Sequence, residues 1–137
     1  MTGVGPAGGL MEQGEPSTVG VLLVDDQASF RSAACDLVAA TDGFVLLGEA
    51  DSGEAAVDAV EMLSPRLVIM DKRMPGIGGI DATRMITSRH PELVVILTSV
   101  EEAPDPEILT SCGATGFVRK RELSPAVLCD LWRIHGG

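Results

Sequence analysis

The feature that most constrains the fold of this chain is a regular alternation of short apolar runs with longer amphipathic stretches, which begins at Val19. The apolar runs are too short for buried helices and contain β-branched residues, so they are predicted to be buried strands. The stretches between them have helical periodicity or helix-start signals such as Ser52 and Ser124-Pro125. The predicted strands are residues 19–24, 44–47, 67–70, 93–97 and 117–118, and the predicted helices are residues 27–40, a segment capped by Ser52, 79–90, 104–112 and 124–134.

This element order predicts an α/β fold. Strands that alternate with helices of this length build parallel βαβ units with right-handed crossovers. We therefore expect one doubly wound domain over residues 19–137, with five parallel strands in the order 2-1-3-4-5 and helices on both faces of the sheet. Residues 1–18 contain five glycines and two prolines, a composition typical of a flexible tail.

The last predicted helix carries the only tryptophan of the chain. Helical spacing assigns a core stripe to Val127, Leu128, Leu131 and Ile134, which leaves Trp132 at its margin. The preferred interpretation of Trp132 is a position that flanks the core. The alternative is an exposed anchor for a partner protein or for a homodimer.

Composition excludes several classes of protein. A net charge of −10 argues against a nucleic-acid-binding surface, and three cysteines without CxxC spacing argue against a disulfide framework or a zinc site. The chain has no apolar run of about 18 residues and no secretory signal pattern. These observations predict a cytoplasmic protein without a membrane segment.

Polar residues occur where several predicted strands end. Asp25 and Asp26 follow the first strand, Asp71 follows the third, Thr98 ends the fourth, and Lys120 follows the fifth. The carboxyl ends of parallel strands share one edge of the sheet, and ligands bind at that edge where the strand order reverses. In the order 2-1-3-4-5 the first and third strands are neighbours, so the three aspartates are predicted to converge.

Three converging carboxylates require a cation, a raised pKa, or both. One such pair about 5 Å apart costs roughly 3 kcal/mol at an effective dielectric of about 20. An all-oxygen ligand set with room for water suits Mg²⁺ or Mn²⁺. Asp71 would then be a carboxylate nucleophile for a phosphoryl group, with Lys120 and Thr98 holding phosphoryl oxygens. Each residue alone also fits an ordinary role as a helix cap, loop residue, packing residue or solvated charge, and the hypothesis rests on their coincidence.

Four motifs resemble the receiver domains of bacterial two-component response regulators, the CheY-like domains of flavodoxin-like fold. They are VLLVDDQ at 21–27, LVIMDKRMPGIGG at 67–79, VVILTS at 94–99 and GATGFVRK at 113–120. The resemblance covers the chain from Val19 to Ile134. It is strongest to receivers that precede a helix-turn-helix DNA-binding domain.

The resemblance implies a role for each matching residue. Asp71 is the expected phosphoacceptor, Asp26 a direct metal ligand, Asp25 a metal partner through water, and the carbonyl of Arg73 a further ligand. Thr98 and Lys120 are expected to contact the phosphoryl group. Phe117 occupies the position of an aromatic switch that acts with Thr98, and a cis peptide is expected between Lys120 and Arg121.

The function implied is a phosphoacceptor, not a turnover enzyme. We expect Mg-dependent self-phosphorylation and slow autodephosphorylation at Asp71, a histidine kinase or phosphotransfer protein as donor, and output by contact with a downstream protein or a second copy. A stand-alone receiver is preferred over a fragment of a DNA-binding regulator, and an unphosphorylated binding module is a third possibility. A flavodoxin-like electron carrier and an aspartate-nucleophile phosphatase are disfavoured, because the chain lacks the phosphate loop and flavin-stacking aromatics of the first, and the DxD spacing of the second.

Overall fold

The computed structural model describes residues 18–136, so the predicted tail lies outside the described residues except for Thr18. The described chain folds into five strands, five α-helices and a short 3-10 helix, close to the predicted pattern. The strands are β1 (Val19–Val24), β2 (Phe44–Ala50), β3 (Leu67–Asp71), β4 (Val94–Ser99) and β5 (Gly116–Arg119). The α-helices are α1 (Ala28–Ala39), α2 (Gly53–Leu63), α3 (Gly79–Arg89), α4 (Pro106–Cys112) and α5 (Pro125–His135), and the 3-10 helix is Lys120–Glu122.

The strands form one parallel sheet in the order β2-β1-β3-β4-β5. This is the flavodoxin-like order 2-1-3-4-5, and the predicted fold is confirmed. The register pairs Asp71 at the end of β3 with Thr98 on β4. Both residues therefore lie at the carboxyl edge of the sheet.

The sheet separates two apolar layers, one on each face. Residues of β1, β3 and β4 alternate between the layers, because successive side chains of a strand point to opposite faces. On one face the strands pack against α1 and α5 through Ala34, Val38 and Leu128. On the other face they pack against α2, α3 and α4, where Ala56 and Ile86 are buried. None of the described helices has the length and apolar character needed to cross a membrane.

Two helix starts follow from the capping residues expected in the sequence. The Ser52 hydroxyl accepts a hydrogen bond from the amide of Ala55 at 3.0 Å. The Ser124 hydroxyl accepts one from the amide of Val127 at 3.1 Å, with Pro125 at the first helical position. Each hydroxyl satisfies an amide that has no partner within the helix.

The prediction that every strand is buried is wrong for β2. Its side chains alternate between partly buried and exposed, and Val45 is 43% and Leu47 38% exposed. The reason is the position of β2 at the edge of the sheet, where it has only β1 as a neighbour. The composition of a short apolar run does not reveal whether the strand that it forms is central or at the edge of the sheet.

Two further expectations are corrected by the structure. Ile134 is 68% exposed and does not belong to the core, because α5 contacts the core through the buried Leu128 and the partly buried Val127, Leu131 and Trp132. Three members of the predicted stripe therefore face the core, and Trp132 joins them in place of Ile134. The described residues contain no cis peptide bond, so the expectation for Lys120-Arg121 is wrong as well.

The start of α3 is packed directly on the end of β3. A Cβ atom added to Gly79 would collide with the carbonyl oxygen of Asp71, and the Gly79 amide donates to the carbonyl of Lys72 at 2.9 Å. Because the obstacle is backbone, it cannot move aside as a side chain would. Gly79 thus allows α3 to approach the strand that carries Asp71.

We predict that Gly79→Ala lowers the free energy of unfolding by about 2 kcal/mol, the cost of forcing an atom into a packed site. Gly116→Ala is the control, because its added Cβ would meet only side-chain atoms, the flexible end of Ile96 at 3.3 Å and the ring of His135 at 3.5 Å. Its effect should stay below about 1 kcal/mol. Urea unfolding of both variants measures the difference, and equal stabilities of G79A and the unsubstituted chain would contradict the packing argument.

Candidate functional site

The three predicted aspartates lie together at the carboxyl edge of the sheet. Asp25 and Asp26 directly follow β1, Asp71 ends β3, and these two strands are neighbours. Carboxylate oxygens from the three residues lie within 4.8 Å of one another. Asp25 and Asp71 are buried whereas Asp26 is exposed, so the cluster opens to solvent on the side of Asp26.

Lys120 is the cation that the chain itself supplies to this cluster. Its Nζ atom lies 2.6 Å from Oδ2 of Asp25 and 3.5 Å from Oδ2 of Asp71. The ammonium group also lies 4.6 Å from the centre of the Phe30 ring, at a distance that suits a cation–π contact. The Lys120 side chain is only 9% exposed, so its charge acts where water screens it little.

Two buried oxygen atoms of the site have no hydrogen-bond donor or acceptor among the described residues. They are Oγ1 of Thr98 and Oδ2 of Asp25. The Asp25 oxygen is not without an electrostatic partner, because the 2.6 Å contact with Lys120 is an ion pair that lacks hydrogen-bond alignment. Buried polar groups are usually satisfied. A hydroxyl that remains open at the rim of a carboxylate cluster, as that of Thr98 does, fits a site that takes an oxygen-rich group.

The Asp71 carboxyl ionises less readily than the carboxyl of an aspartate in water. Burial is the main cause and the neighbouring Asp25 carboxylate the second, and together they raise the pKa of Asp71 to about 6. Lys120 and the backbone amide of Arg73 act in the opposite direction and limit the rise. This amide lies 3.4 Å from Oδ1 of Asp71. A raised pKa is one of the two outcomes expected for crowded carboxylates.

A set of ion pairs surrounds the site on the side of the β4–α4 loop. Glu101 lies 3.0 Å from Nε of Arg73 and 3.8 Å from Nζ of Lys72. The Lys72 ammonium donates to the carbonyl of Glu102 at 3.2 Å, and the Glu102 carboxylate pairs with Arg119 at 2.9 Å. Three cations, two from the loop after β3 and one from the end of β5, thus pair with the segment that follows Thr98.

The remaining residues predicted for the site have different surroundings. Phe117 on β5 is partly buried and packs against the core layer of α2, α3 and α4. The Arg73 side chain is 76% exposed and turned to Glu101. The three consecutive basic residues 119–121 lie in different environments. Lys120 enters the cluster, Arg119 pairs with Glu102, and Arg121 is exposed.

Arg31 contacts the site but was not predicted from the sequence. Its Nη1 atom donates to the main-chain carbonyl of Asp25 at 2.6 Å, and its Nε atom lies 3.1 Å from Oε1 of Glu49. A charged residue one turn into the helix after Asp25-Asp26 was the available signal. That signal is weak, since an arginine on an amphipathic helix is usually a solvated charge.

Cavity size does not locate the site. A depression of about 480 Å³ beside Asp26 is lined also by Arg73 and Met74. A cavity of about 540 Å³ lies at the opposite edge of the sheet, between the start of β3 and the end of α5, and is lined by Trp132 among others. The carboxylates, the lysine and the open hydroxyl are all at the first edge, so chemistry and not volume identifies it.

Comparisons with known proteins agree with this geometry. Residues 21–131 match the family model of the response regulator receiver domain. Response regulator GacA of Pseudomonas viridiflava is 43% identical over 101 residues, which are 73% of this chain and 47% of GacA. Response regulator UvrY of Escherichia coli (strain K12) is 32% identical over 120 residues, which are 87% of this chain and 55% of UvrY. The chain thus spans about half the length of the curated relatives it matches.

Solved structures lead to the same family. A two-component response regulator of the LuxR family from Aurantimonas sp. SI85-9A1 superimposes with a TM-score of 0.75 at 29% identity, covering 83% of this chain and 81% of that one. The response regulator domain of Thermotoga maritima CheB superimposes with a TM-score of 0.77 at 26% identity, covering 88% and 98%. The first match is in line with the expected similarity to receivers of helix-turn-helix regulators. The chain therefore belongs to the family of response regulator receiver domains.

Proposed function

We propose that Asp71 accepts a phosphoryl group from a histidine kinase or a phosphotransfer protein, in a reaction that requires Mg²⁺ or Mn²⁺. The observation that carries this proposal is the crowding of three carboxylates around one lysine, with an unpartnered threonine hydroxyl at the same rim. A structural role alone would not explain why two buried carboxylates share a single buried cation. A divalent cation bound beside Lys120 would supply further positive charge.

The cation would be held by oxygen atoms only. Asp26 is the expected direct ligand because its carboxylate is exposed, and Asp71 and the carbonyl of Arg73 are the other expected protein ligands. Asp25 would act through water, since its Oδ2 atom is already 2.6 Å from Lys120. When bound, such an ion supplies charge neutralisation between the carboxylates and the incoming phosphoryl group.

The chain's own residues would do the remaining chemistry. A carboxylate oxygen of Asp71 attacks phosphorus as the bond from phosphorus to the donor atom breaks, and the electron pair of that bond leaves with the donor. Lys120 and the Thr98 hydroxyl bind two of the phosphoryl oxygens, whose charge grows during transfer. Thr98 is buried on β4 in register with Asp71, so it lies at the same edge of the sheet as the proposed acceptor.

Output is proposed to occur through protein contact. Thr98 and Phe117 lie on the neighbouring strands β4 and β5, and a shift of Thr98 toward a phosphoryl group would alter packing beside Phe117. The surface formed by α4, β5 and α5 is the proposed contact surface, for a downstream protein or a second copy. A receiver within a longer DNA-binding regulator is a second candidate, favoured by the fact that the chain spans about half of its relatives.

We predict that incubation with acetyl phosphate and Mg²⁺ adds one phosphoryl mass increment to the chain, and that Asp71→Asn abolishes it. Asn keeps the shape of the side chain but is not a carboxylate nucleophile. Asp58→Asn is the matched control, because Asp58 is exposed on α2. Intact-protein mass spectrometry reads the result, and an unmodified wild-type chain would favour a binding module that is never phosphorylated.

We predict that Thr98→Val slows phosphorylation by about a hundredfold, because a donor to the transferring group is lost. The same change should leave the free energy of unfolding unchanged or raise it by about 1 kcal/mol, since the removed hydroxyl is buried without a partner.

Thr83→Val is the control for this experiment. The Thr83 hydroxyl is also buried and without a hydrogen-bond partner, but it lies on α3. Stability should respond as in Thr98→Val while the phosphorylation rate stays at the wild-type value. Equal rates for the two variants would remove Thr98 from the proposed mechanism.

We predict that Asp71→Asn stabilises the metal-free protein at pH 7.5 and that the gain disappears as the pH falls to about 4. The pKa of Asp71 is raised from 3.8 to about 6 in the folded state, so the folded state holds this proton more tightly than the unfolded one. The wild type therefore loses stability as the pH rises from about 4 to about 6, by at most ~3 kcal/mol. Urea unfolding in the presence of a chelator, with Asp58→Asn as control, measures the gain; a destabilised D71N protein at pH 7.5 would refute it.

A further inference from the structure

We propose that Arg31 is a positioning residue of the acidic site, which fixes the Asp25-Asp26 turn and so sets the geometry in which the carboxylates receive a divalent cation. This inference rests on the proposed function and deepens it. It assigns a role to a residue outside the carboxylate cluster, on a helix that supplies none of the proposed ligands.

The turn begins where sheet pairing stops. The register between β1 and β2 ends with Val24 opposite Ala50, and the Asp25 amide still donates to the carbonyl of Ala50 at 3.0 Å. The carbonyl of Asp25 lies one peptide further and has no strand partner in that register. Arg31 fills this place, because its Nη1 atom donates to the Asp25 carbonyl at 2.6 Å.

This carbonyl belongs to the peptide that joins Asp25 to Asp26. The orientation of that peptide plane determines the direction in which Asp26 leaves the strand. The Asp25 side chain is fixed separately, by the amide of Gln27 at 2.8 Å on Oδ1 and by Lys120 at 2.6 Å on Oδ2. Asp26 is exposed and has no comparable restraint among the described contacts, so the peptide held by Arg31 controls its placement.

The guanidinium group is itself held at two points. While Nη1 reaches the Asp25 carbonyl, Nε lies 3.1 Å from the carboxylate of Glu49 near the end of β2. The Arg31 side chain is 21% exposed, so most of it is packed. A planar fork with donors in fixed directions joins both acceptors at once, whereas a lysine has a single point of attachment. Arg31 thereby ties α1, β1 and β2 together beneath the cluster.

An electrostatic role and a positioning role of Arg31 predict opposite effects of its removal on cation binding. If Arg31 acted only through its positive charge, its removal would make the site more negative and would strengthen cation binding. If it acts by positioning, its removal disorders the turn and weakens binding despite the more negative field. Substitution of groups that orient metal ligands typically weakens metal affinity about 10- to 100-fold.

The test is calorimetric titration of the full chain with MgCl₂. We expect Arg31→Gln and Arg31→Lys each to raise the Mg²⁺ dissociation constant by at least about tenfold. Arg84→Gln is the control, because Arg84 forms an exposed 2.7 Å pair with Asp81 on α3, away from the turn. Thermal unfolding in chelator establishes that each variant is folded at the titration temperature, so that a general loss of structure is not read as lost affinity.

The outcomes separate this inference from the proposed function. If the wild type binds no Mg²⁺ and takes no phosphoryl group, the proposed function fails and the role of Arg31 with it. If the wild type does both but Arg31→Lys binds Mg²⁺ with unchanged affinity, only the positioning role fails. Tighter binding by Arg31→Gln would show that charge, and not geometry, is what Arg31 supplies.

Discussion

Repulsion among three carboxylates at one rim of the sheet is the constraint on which the rest of the structure depends. The fold holds Asp25, Asp26 and Asp71 together although each is negatively charged at neutral pH in water. Lys120 offsets part of the repulsion, and the raised pKa of Asp71 reflects the burial and repulsion that remain. Crowded carboxylates of this kind favour the binding of a cation. The apolar layers on both faces of the sheet are well buried, and their burial offsets the cost of the acidic rim.

Topology is what turns distant residues into one site. The aspartates are 46 positions apart (71 minus 25), and Lys120 is 49 positions beyond Asp71 (120 minus 71). They meet because β1 and β3 are neighbours and because β5 ends at the same edge. The close packing of Gly79 on the end of β3 and the arginine beneath the Asp25-Asp26 turn then determine how the loops leave that edge. The site is therefore specified by the strand order first and by loop packing second.

The sequence predicts the strand order, the helices and the five polar residues of the rim, because these depend on periodicity and on where each strand ends. It fails where a tertiary contact decides. The exposure of β2 depends on its edge position, and at the end of α5 it is Trp132 and not Ile134 that packs against the core. Arg31 is missed for a similar reason: its partners are a main-chain carbonyl and a residue of another strand, and neither leaves a pattern in the local sequence.

The location of Trp132 has a practical consequence for spectroscopy. The chain's single tryptophan lies beside Arg66, whose guanidinium carbon is 5.1 Å from the ring centre, at the edge of the sheet opposite the acidic rim. Its fluorescence therefore reports how the last helix packs near the amino ends of the strands. Events among the carboxylates are remote from this natural fluorophore, and an optical assay for them calls for a dye or a second indole introduced near the β4–α4 loop.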